Sequence, residues 1–231
     1  MLPLRDNVPT RSRPVVTIGL ILACFAVWFW ELGDGGLEEH VIKYAYYPCA
    51  LADSCISPAT FREVSWIEGA FSSMFMHGGW GHILGNMLFL WIFGNNVEDA
   101  MGKVRFLVFY LGGGLAATAL QTIVTLQVAG PAGESVPNIG ASGAIAAVLG
   151  AYAVLLPRAS VLTFVGFFLI PIPAVFFLGI WFLLQLYLGG LGLSHPSGGQ
   201  GVAFFAHVGG FAFGLLTVRI FQIRRPLQPT W

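Results

Sequence analysis

The sequence predicts an all-α membrane protein, a single domain over residues 1–231 folded as a bundle of six transmembrane helices. Of its 231 residues, 56% are hydrophobic and only 10% are charged, whereas soluble domains carry about 25% charged residues. The apolar residues fall into runs near the length of about 20 that a membrane span requires. The net charge is zero and there is no basic arm, so nothing in the composition indicates a nucleic-acid partner.

Six apolar runs define the predicted spans. The first follows a polar N-terminal segment, residues 1–13, and lacks a cleavage site, so it is interpreted as a span rather than a signal peptide. A long loop, residues 34–70, comes next. The stretch 161–171 ends in prolines that disrupt helical hydrogen bonding, so it is interpreted as an interfacial lead-in or a kinked helix. The predicted spans are 14–33, 78–97, 104–128, 140–156, 172–190 and 202–222, with a tail at 223–231.

The basic residues predict the orientation. Six spans would place almost all of them on one side, which the positive-inside rule makes cytoplasmic. Both termini are then expected to be cytoplasmic and the 34–70 loop extracytoplasmic, in a cell membrane interpreted as a bacterial inner membrane. Only Lys43 and Arg62 fall on the other side. The clustered basic residues are Arg5, Arg11, Arg13, Lys103, Arg105, Arg158, Arg219, Arg224 and Arg225.

The cysteines leave one alternative open. Cys24 lies in the first span and is expected to be a packing residue. Cys49 and Cys55 lie in the long loop, where they either form a disulfide or remain free, because disulfide geometry cannot be read from spacing.

Four polar side chains share one depth in the predicted spans: His82 and Asn86 in the second, Ser142 in the fourth and His207 in the sixth. At 1.5 Å per helical residue they lie about 18 to 24 Å from the cytoplasmic ends, in the outer half of a core about 30 Å thick. Polar groups at such depths are costly and indicate function. Because the fourth span is short, we expect a hydrated pocket at its start, with Ser142 at the floor.

The types of residue suggest nucleophilic catalysis. Ser142 lies in the sequence Gly140-Ala141-Ser142-Gly143 at a helix start, where free N–H groups and the helix dipole could stabilise an oxyanion. A serine needs a base, and His207 lies on a helix whose small residues permit close packing. No acidic residue lies near this depth, so a Ser–His dyad is predicted. His82 and Asn86 share a helix face and suit an oxyanion hole.

Each feature alone also has a structural explanation. A Gly-Ala-Ser-Gly sequence at a helix start is commonly a cap or a packing site, and His or Asn in a span commonly cross-links helices. The functional hypothesis therefore depends on the coincidence of depth and chemistry.

Taken together, the motifs resemble those of rhomboid intramembrane serine proteases of the bacterial type, over about residues 66–222. The resemblance rests on Gly140-Ala141-Ser142-Gly143, on Ala206-His207-x-x-Gly210-x-x-x-Gly214 and on His77-x-x-x-x-His82-x-x-x-Asn86. It implies a catalytic pair, Ser142 and His207; an oxyanion hole from Asn86, His82 and the Ser142 N–H; and supporting roles for His77, Gly140, Gly143 and Gly210.

The resemblance also implies the reaction and its setting. Substrates would be single-span membrane proteins, cut in or near the bilayer without a metal or cofactor. Span five and the loop 190–201 would form a gate and a cap. Alternatives are a client-binding protein without proteolysis, such as a chaperone, and a small transporter, although the inner halves of spans four and six show no polar route. The oligomeric state stays open.

The chain departs from the family pattern at two places. Glu68 and Gly69 stand where some rhomboids carry a Trp-Arg pair. This departure affects the anchoring of the first loop and removes no group that the reaction needs. Ala146 stands where some members have a tyrosine that stacks on the base. The orientation of His207 must then come from another source, for which helix packing is one candidate.

Overall fold

A computed structural model describes residues 2–33, 35–194 and 203–230, with the side chains of 193 and 194 excepted. Within these ranges the chain forms helices and one small sheet. The helices are α1 (Val15–Glu31), α2 (Gly36–Tyr44), α3 (Cys49–Ala52), a 3-10 turn (Ala59–Phe61), α4 (Trp66–Ser72), α5 (Trp80–Met101), α6 (Lys103–Val128), α7 (Gly130–Glu134), α8 (Ser142–Leu155), α9 (Ala174–Ser194) and α10 (Phe204–Phe221). The strands are β1 (Leu2–Asp6), β2 (Ser160–Val165) and β3 (Phe168–Pro173).

Six of these helices, α1, α5, α6, α8, α9 and α10, lie where the sequence predicts spans. In the described part of the chain, α6, α9 and α10 are each long and apolar enough to cross a membrane, with mean hydropathy between 1.6 and 1.9. Helix α8 is apolar but only 14 residues long, and α1 is bent by 115° from α2. The helical membrane bundle is confirmed, and the count of six spans stays a prediction.

Helix α8 forms the centre of the bundle, and its residues from Gly143 to Tyr152 are all buried. Its backbone lies directly against that of α10. A Cβ atom on Gly210 would be 2.0 Å from the carbonyl oxygen of Gly143, and one on Gly214 would be 2.0 Å from that of Ala147. The predicted close packing of small residues is therefore confirmed, because a larger residue at either glycine would separate the two helices.

The C-terminal end of α5 holds the start of the chain. Helix α1 lacks a capping side chain of its own, but the Glu98 carboxylate accepts the backbone N–H groups of Val16 and Thr17 at 3.0 and 2.8 Å. These are donors that a helix start leaves without a partner. The neighbouring Asp99 accepts from the Arg11 guanidinium at 3.2 Å. Two carboxylates of one helix thus fix the N-terminal segment.

Residues 161–171, interpreted from the sequence as an interfacial lead-in or a helix kinked at the prolines, form two strands instead, which corrects the helical alternative. Strands β2 and β3 are antiparallel and joined by the two-residue turn Gly166-Phe167, in which Gly166 has a φ of +60°. A glycine with positive φ at the first turn position is typical of a type II′ hairpin. Strand β1 pairs with β2 on its other side. The β-branched and aromatic residues here favour strands.

The long first loop braces the segment that leads to Ser142. Cys49 and Cys55 form a disulfide, which settles the alternative left open by the sequence. The backbone N–H of Asn138 donates to the carbonyl oxygen of Tyr46 at 2.8 Å, and that of Gly140 donates to Ser73 at 2.8 Å. The approach to α8 is therefore held from outside the bundle.

Candidate active site

Three helices begin at the same end of the bundle, around one cavity of about 410 Å³. Ser142 is the first residue of α8, His82 the third of α5 and His207 the fourth of α10. These three side chains and Asn86, one turn further into α5, all line the cavity. The four polar residues singled out in the sequence therefore line the same cavity. The N-terminal ends of the three helices also lie there, and their dipoles favour negative charge.

Ser142 and His207 are in direct contact. The hydroxyl oxygen of Ser142 lies 2.8 Å from Nε2 of His207, the distance of a good O–H···N hydrogen bond. Gly140, just before them, has a φ of +121°, a conformation that non-glycine residues rarely adopt. The chain can thus turn sharply into α8 and present the hydroxyl to the histidine.

Gln185 on α9 orients His207, a role that the sequence analysis did not assign. Its Oε1 lies 2.7 Å from Nδ1 of His207, and its Nε2 donates to the backbone carbonyl of Trp181 at 3.5 Å. Because that carbonyl can only accept, the amide directs its oxygen towards the imidazole. Nδ1 must then carry the proton, which leaves Nε2 free to accept from Ser142.

The absent tyrosine platform also has a substitute on α9. The indole ring of Trp181 lies 5.7 Å from the His207 ring, centroid to centroid, with the planes tilted by 38°. The suggestion that helix packing orients His207 is therefore incomplete, since α9 supplies a hydrogen bond and a ring. Gln185 is the one amide in the predicted fifth span, and a polar residue in a span is a functional signal.

Two donors border the cavity beside Ser142. Asn86 is 9% exposed and its Nδ2 has no hydrogen-bond partner among the described residues. His82 Nδ1 faces the backbone N–H of Gly78 at 3.3 Å and so acts as an acceptor, which leaves the proton of the neutral ring on Nε2. A Cβ atom on Gly140 would be 2.6 Å from that Nε2 and 3.6 Å from the Ser142 Oγ. Both donors are thus available to a bound group.

His77 lies behind the cavity rather than on its lining. Its ring is 5.1 Å from that of His82, and its backbone N–H donates to the buried Glu31 carboxylate at 3.2 Å. Burial lowers the pKa of His77 to about 4, and the nearby His82 adds to this. A neutral His77 therefore packs against His82 in the loop ahead of α5.

The described residues contain no group of three or more His, Cys, Asp or Glu side chains that could hold a metal ion. Of the predicted cap, loop 190–201, residues 195–201 lie outside the described part of the chain.

Comparison with known proteins decides the family. The rhomboid domain matches residues 65–224, more than half of the chain. The chain belongs to the rhomboid family. It is 31% identical over 205 residues to Rhomboid protein 1, mitochondrial, of Saccharomyces cerevisiae, covering 86% of this chain and 50% of that protein. It is 32% identical over 169 residues to Presenilin-associated rhomboid-like protein A, mitochondrial, of Danio rerio, covering 69% and 40%.

This rhomboid chain spans half or less of the length of those relatives. A third, RHOMBOID-like protein 12, mitochondrial, of Arabidopsis thaliana, is 32% identical over 152 residues, covering 61% of this chain and 42% of that protein. The expected location in a bacterial inner membrane with cytoplasmic termini is contradicted, because these relatives are mitochondrial proteins. The bacterial subtype has no support from them, while the family itself is confirmed.

Proposed function

We propose that this rhomboid is an intramembrane serine endopeptidase that cleaves single-span membrane proteins in or near their transmembrane segment, in a mitochondrial membrane as its relatives' names suggest. The observation that carries the proposal is the 2.8 Å contact between Ser142 Oγ and His207 Nε2 inside a cavity. A hydroxyl that donates to a neutral imidazole is the arrangement of an activated serine nucleophile.

In the first step, Ser142 Oγ attacks the carbonyl carbon of the scissile peptide bond while its proton passes to His207 Nε2. The oxygen of the tetrahedral intermediate becomes negative and accepts hydrogen bonds from Asn86 Nδ2, His82 Nε2 and the Ser142 N–H. Gln185 accepts from Nδ1 throughout, so it stabilises the imidazolium ion without taking its proton.

Collapse of the intermediate breaks the peptide bond. The leaving nitrogen takes the proton from His207 Nε2, and the substrate remains as an ester on Ser142. A water molecule then attacks the carbonyl carbon of this ester and loses its proton to His207 Nε2. That proton passes to Ser142 Oγ as the ester bond breaks, which releases the acid product and restores the free serine and the neutral histidine. The cavity supplies the space for that water within an apolar bundle.

Replacement of the serine tests the proposal. Ser142→Ala is expected to lower cleavage of a single-span substrate in proteoliposomes by about 10⁴-fold or more, because among the described residues that line the cavity only Ser142 carries a hydroxyl. A fluorophosphonate probe should label the native chain at Ser142 and leave His207→Ala unlabelled. Ser160→Ala, in strand β2 far from the cavity, is the matched control and should cleave at the native rate.

An unlabelled native chain, or a Ser142→Ala variant with native activity, would contradict the proposal. Capture of a single-span client with no cleavage by the native chain would instead favour the client-binding alternative. Thermal unfolding of each variant shows whether a loss of activity reflects a loss of fold.

A further inference from the structure

The β2–β3 hairpin projects an apolar tip that no described residue covers. Phe167 is 95% exposed, Phe168 71% and Leu169 57%. Since adjacent strand residues point to opposite faces, Phe168 and Leu169 expose apolar side chains on both faces of the tip. Strands that are apolar on both faces are ordinarily buried on both. The sequence from 159 to 218 contains no Asp, Glu, Lys or Arg, so the hairpin itself carries no charged side chain that would oppose an apolar environment.

The open edge of the hairpin is also adapted to an apolar environment. The N–H of Ala174 donates to the carbonyl of Ala159 at 2.7 Å, in register with the pairs of β2 and β3. In an antiparallel pair, the backbone N–H and C=O groups of every second residue point towards the partner strand. The backbone groups of residues 172, 170 and 168 therefore point towards β2, and those of residues 173, 171 and 169 point away from it, towards the open edge. Two of these three outward positions are Pro173 and Pro171.

Proline has no N–H. Of the three residues whose backbone groups point away from β2, only Leu169 therefore has an N–H at this edge. An unpaired backbone donor is unfavourable in lipid, which offers it no hydrogen-bond partner, and each of the two prolines removes one such donor. They also disfavour the pairing of β3 with a strand of a second copy, since edge pairing requires those donors.

The hairpin continues directly into a lipid-facing surface. Strand β3 ends at Pro173 and α9 begins at Ala174. Helix α9 is long and apolar enough to cross a membrane, and its exposed side chains are large and apolar, among them Phe176, Ile180 and Leu183. No polar linker separates this surface from the hairpin.

The opposite side of the sheet is tied to the bundle. The Asp6 carboxylate of β1 accepts from the Tyr152 hydroxyl of α8 at 2.5 Å and from the Asn96 amide of α5 at 2.7 Å. The hairpin is thus fixed at its β1 side and open at its tip and at β3.

We propose that the tip of the β2–β3 hairpin inserts into the lipid bilayer, on the side of the chain termini, and contacts acyl chains. The hairpin is then a second membrane anchor beside the helices and fixes the depth at which α9 begins. This inference is independent of the proposed proteolysis.

A spin label measures the environment directly. The full chain carrying Phe167→Cys is labelled in phosphatidylcholine proteoliposomes, and the collision rates of the label with oxygen and with a water-soluble nickel chelate are compared. Arg225→Cys, in the exposed tail, is the aqueous reference, and Leu183→Cys on α9 is the lipid reference. Unsubstituted protein measures the background from the buried Cys24.

We expect the ratio of oxygen to nickel collisions at position 167 to exceed that at 225 at least several-fold and to approach that at 183. A ratio equal to that at 225 would place the tip in water and overturn the proposal. Exclusion of both reagents would also overturn it, because the tip would then be covered by protein, as in a dimer. Leu169→Cys repeats the measurement if Phe167→Cys does not fold.

Discussion

At the scale of single residues, the directions of the hydrogen bonds around His207 follow from one backbone carbonyl. Trp181 accepts from Gln185, Gln185 accepts from His207, and His207 can then only accept from Ser142. In proteases with an acidic third member a carboxylate holds the histidine; in this chain the group in contact with Nδ1 of His207 is a neutral amide. A neutral group suits an apolar bundle, where an unpaired buried charge would be expensive.

Removal of the Gln185 oxygen tests its role. We expect Gln185→Leu to lower kcat roughly 10- to 100-fold with little change in KM, because the base loses its fixed tautomer while the binding surface remains. Gln185→Glu keeps an acceptor oxygen and should retain more of kcat than the leucine variant. Both constants are measured in proteoliposomes.

Tyr187→Phe serves as the matched control for Gln185, since Tyr187 is on the same helix and 64% exposed. It should leave both constants unchanged. A native kcat in Gln185→Leu, or an equal loss in both Gln185 variants together with lower thermal stability, would contradict a positioning role.

At the scale of helices, the geometry of the site depends on the contact between α8 and α10. The two helices approach until the Cβ that Gly150 lacks would be 2.2 Å from the Phe211 carbonyl oxygen. This approach sets the distance between Ser142, at the start of α8, and His207, at the start of α10. Without a hydrophobic driving force in lipid, such close backbone packing is a main source of helix association.

A methyl group at Gly210 should separate these helices. We expect Gly210→Ala to lower the free energy of unfolding by about 1 to 3 kcal/mol and to reduce activity strongly, because the carbonyl of Gly143 must move and with it Ser142. Thermal unfolding measures the change in stability, and substrate cleavage in the same detergent measures the change in activity.

Gly179→Ala is the control for this change, since nothing lies within 4 Å of the added Cβ. It should raise helix stability by about 0.5 to 1 kcal/mol and leave activity intact. If Gly210→Ala behaved like Gly179→Ala, the tight packing would not matter for the site.

At the scale of the whole molecule, the two ends of the chain meet at the end of the bundle opposite the cavity. The backbone N–H of Thr230 donates to the Asn7 carbonyl at 2.9 Å, and that of Arg224 donates to Ala100 at 3.0 Å. The N-terminal segment, the tail and the end of α5 therefore form one assembly. An even number of spans is required for both ends to lie on the same side of a membrane.

Cysteine accessibility tests the count of six spans. In sealed vesicles of uniform orientation, Arg13→Cys and Arg225→Cys should react alike with an impermeant maleimide, and Thr60→Cys, in the first loop, should react only from the opposite side. Different reactivity at positions 13 and 225 would indicate an odd number of spans.

Sequence alone determined the location of the six helices that lie at the predicted spans, because hydrophobic runs in a bilayer leave the backbone few alternatives to a helix. It also placed Ser142, His207, His82 and Asn86 at one depth, since depth follows from helical rise. The hairpin was missed because Pro171 and Pro173 fit both a helix end and the edge of a strand. Local pattern could not decide between them.

The tertiary structure alone decided which atoms meet. The partner of Nδ1 on His207 depends on which side of α9 faces α10. Because α9 is apolar on nearly all sides, its sequence pattern does not indicate that side. The disulfide of Cys49 and Cys55 likewise follows only from the tertiary structure, since spacing does not fix geometry. Spacing along one chain fixes depth within each helix, whereas contacts between helices depend on how their surfaces fit together.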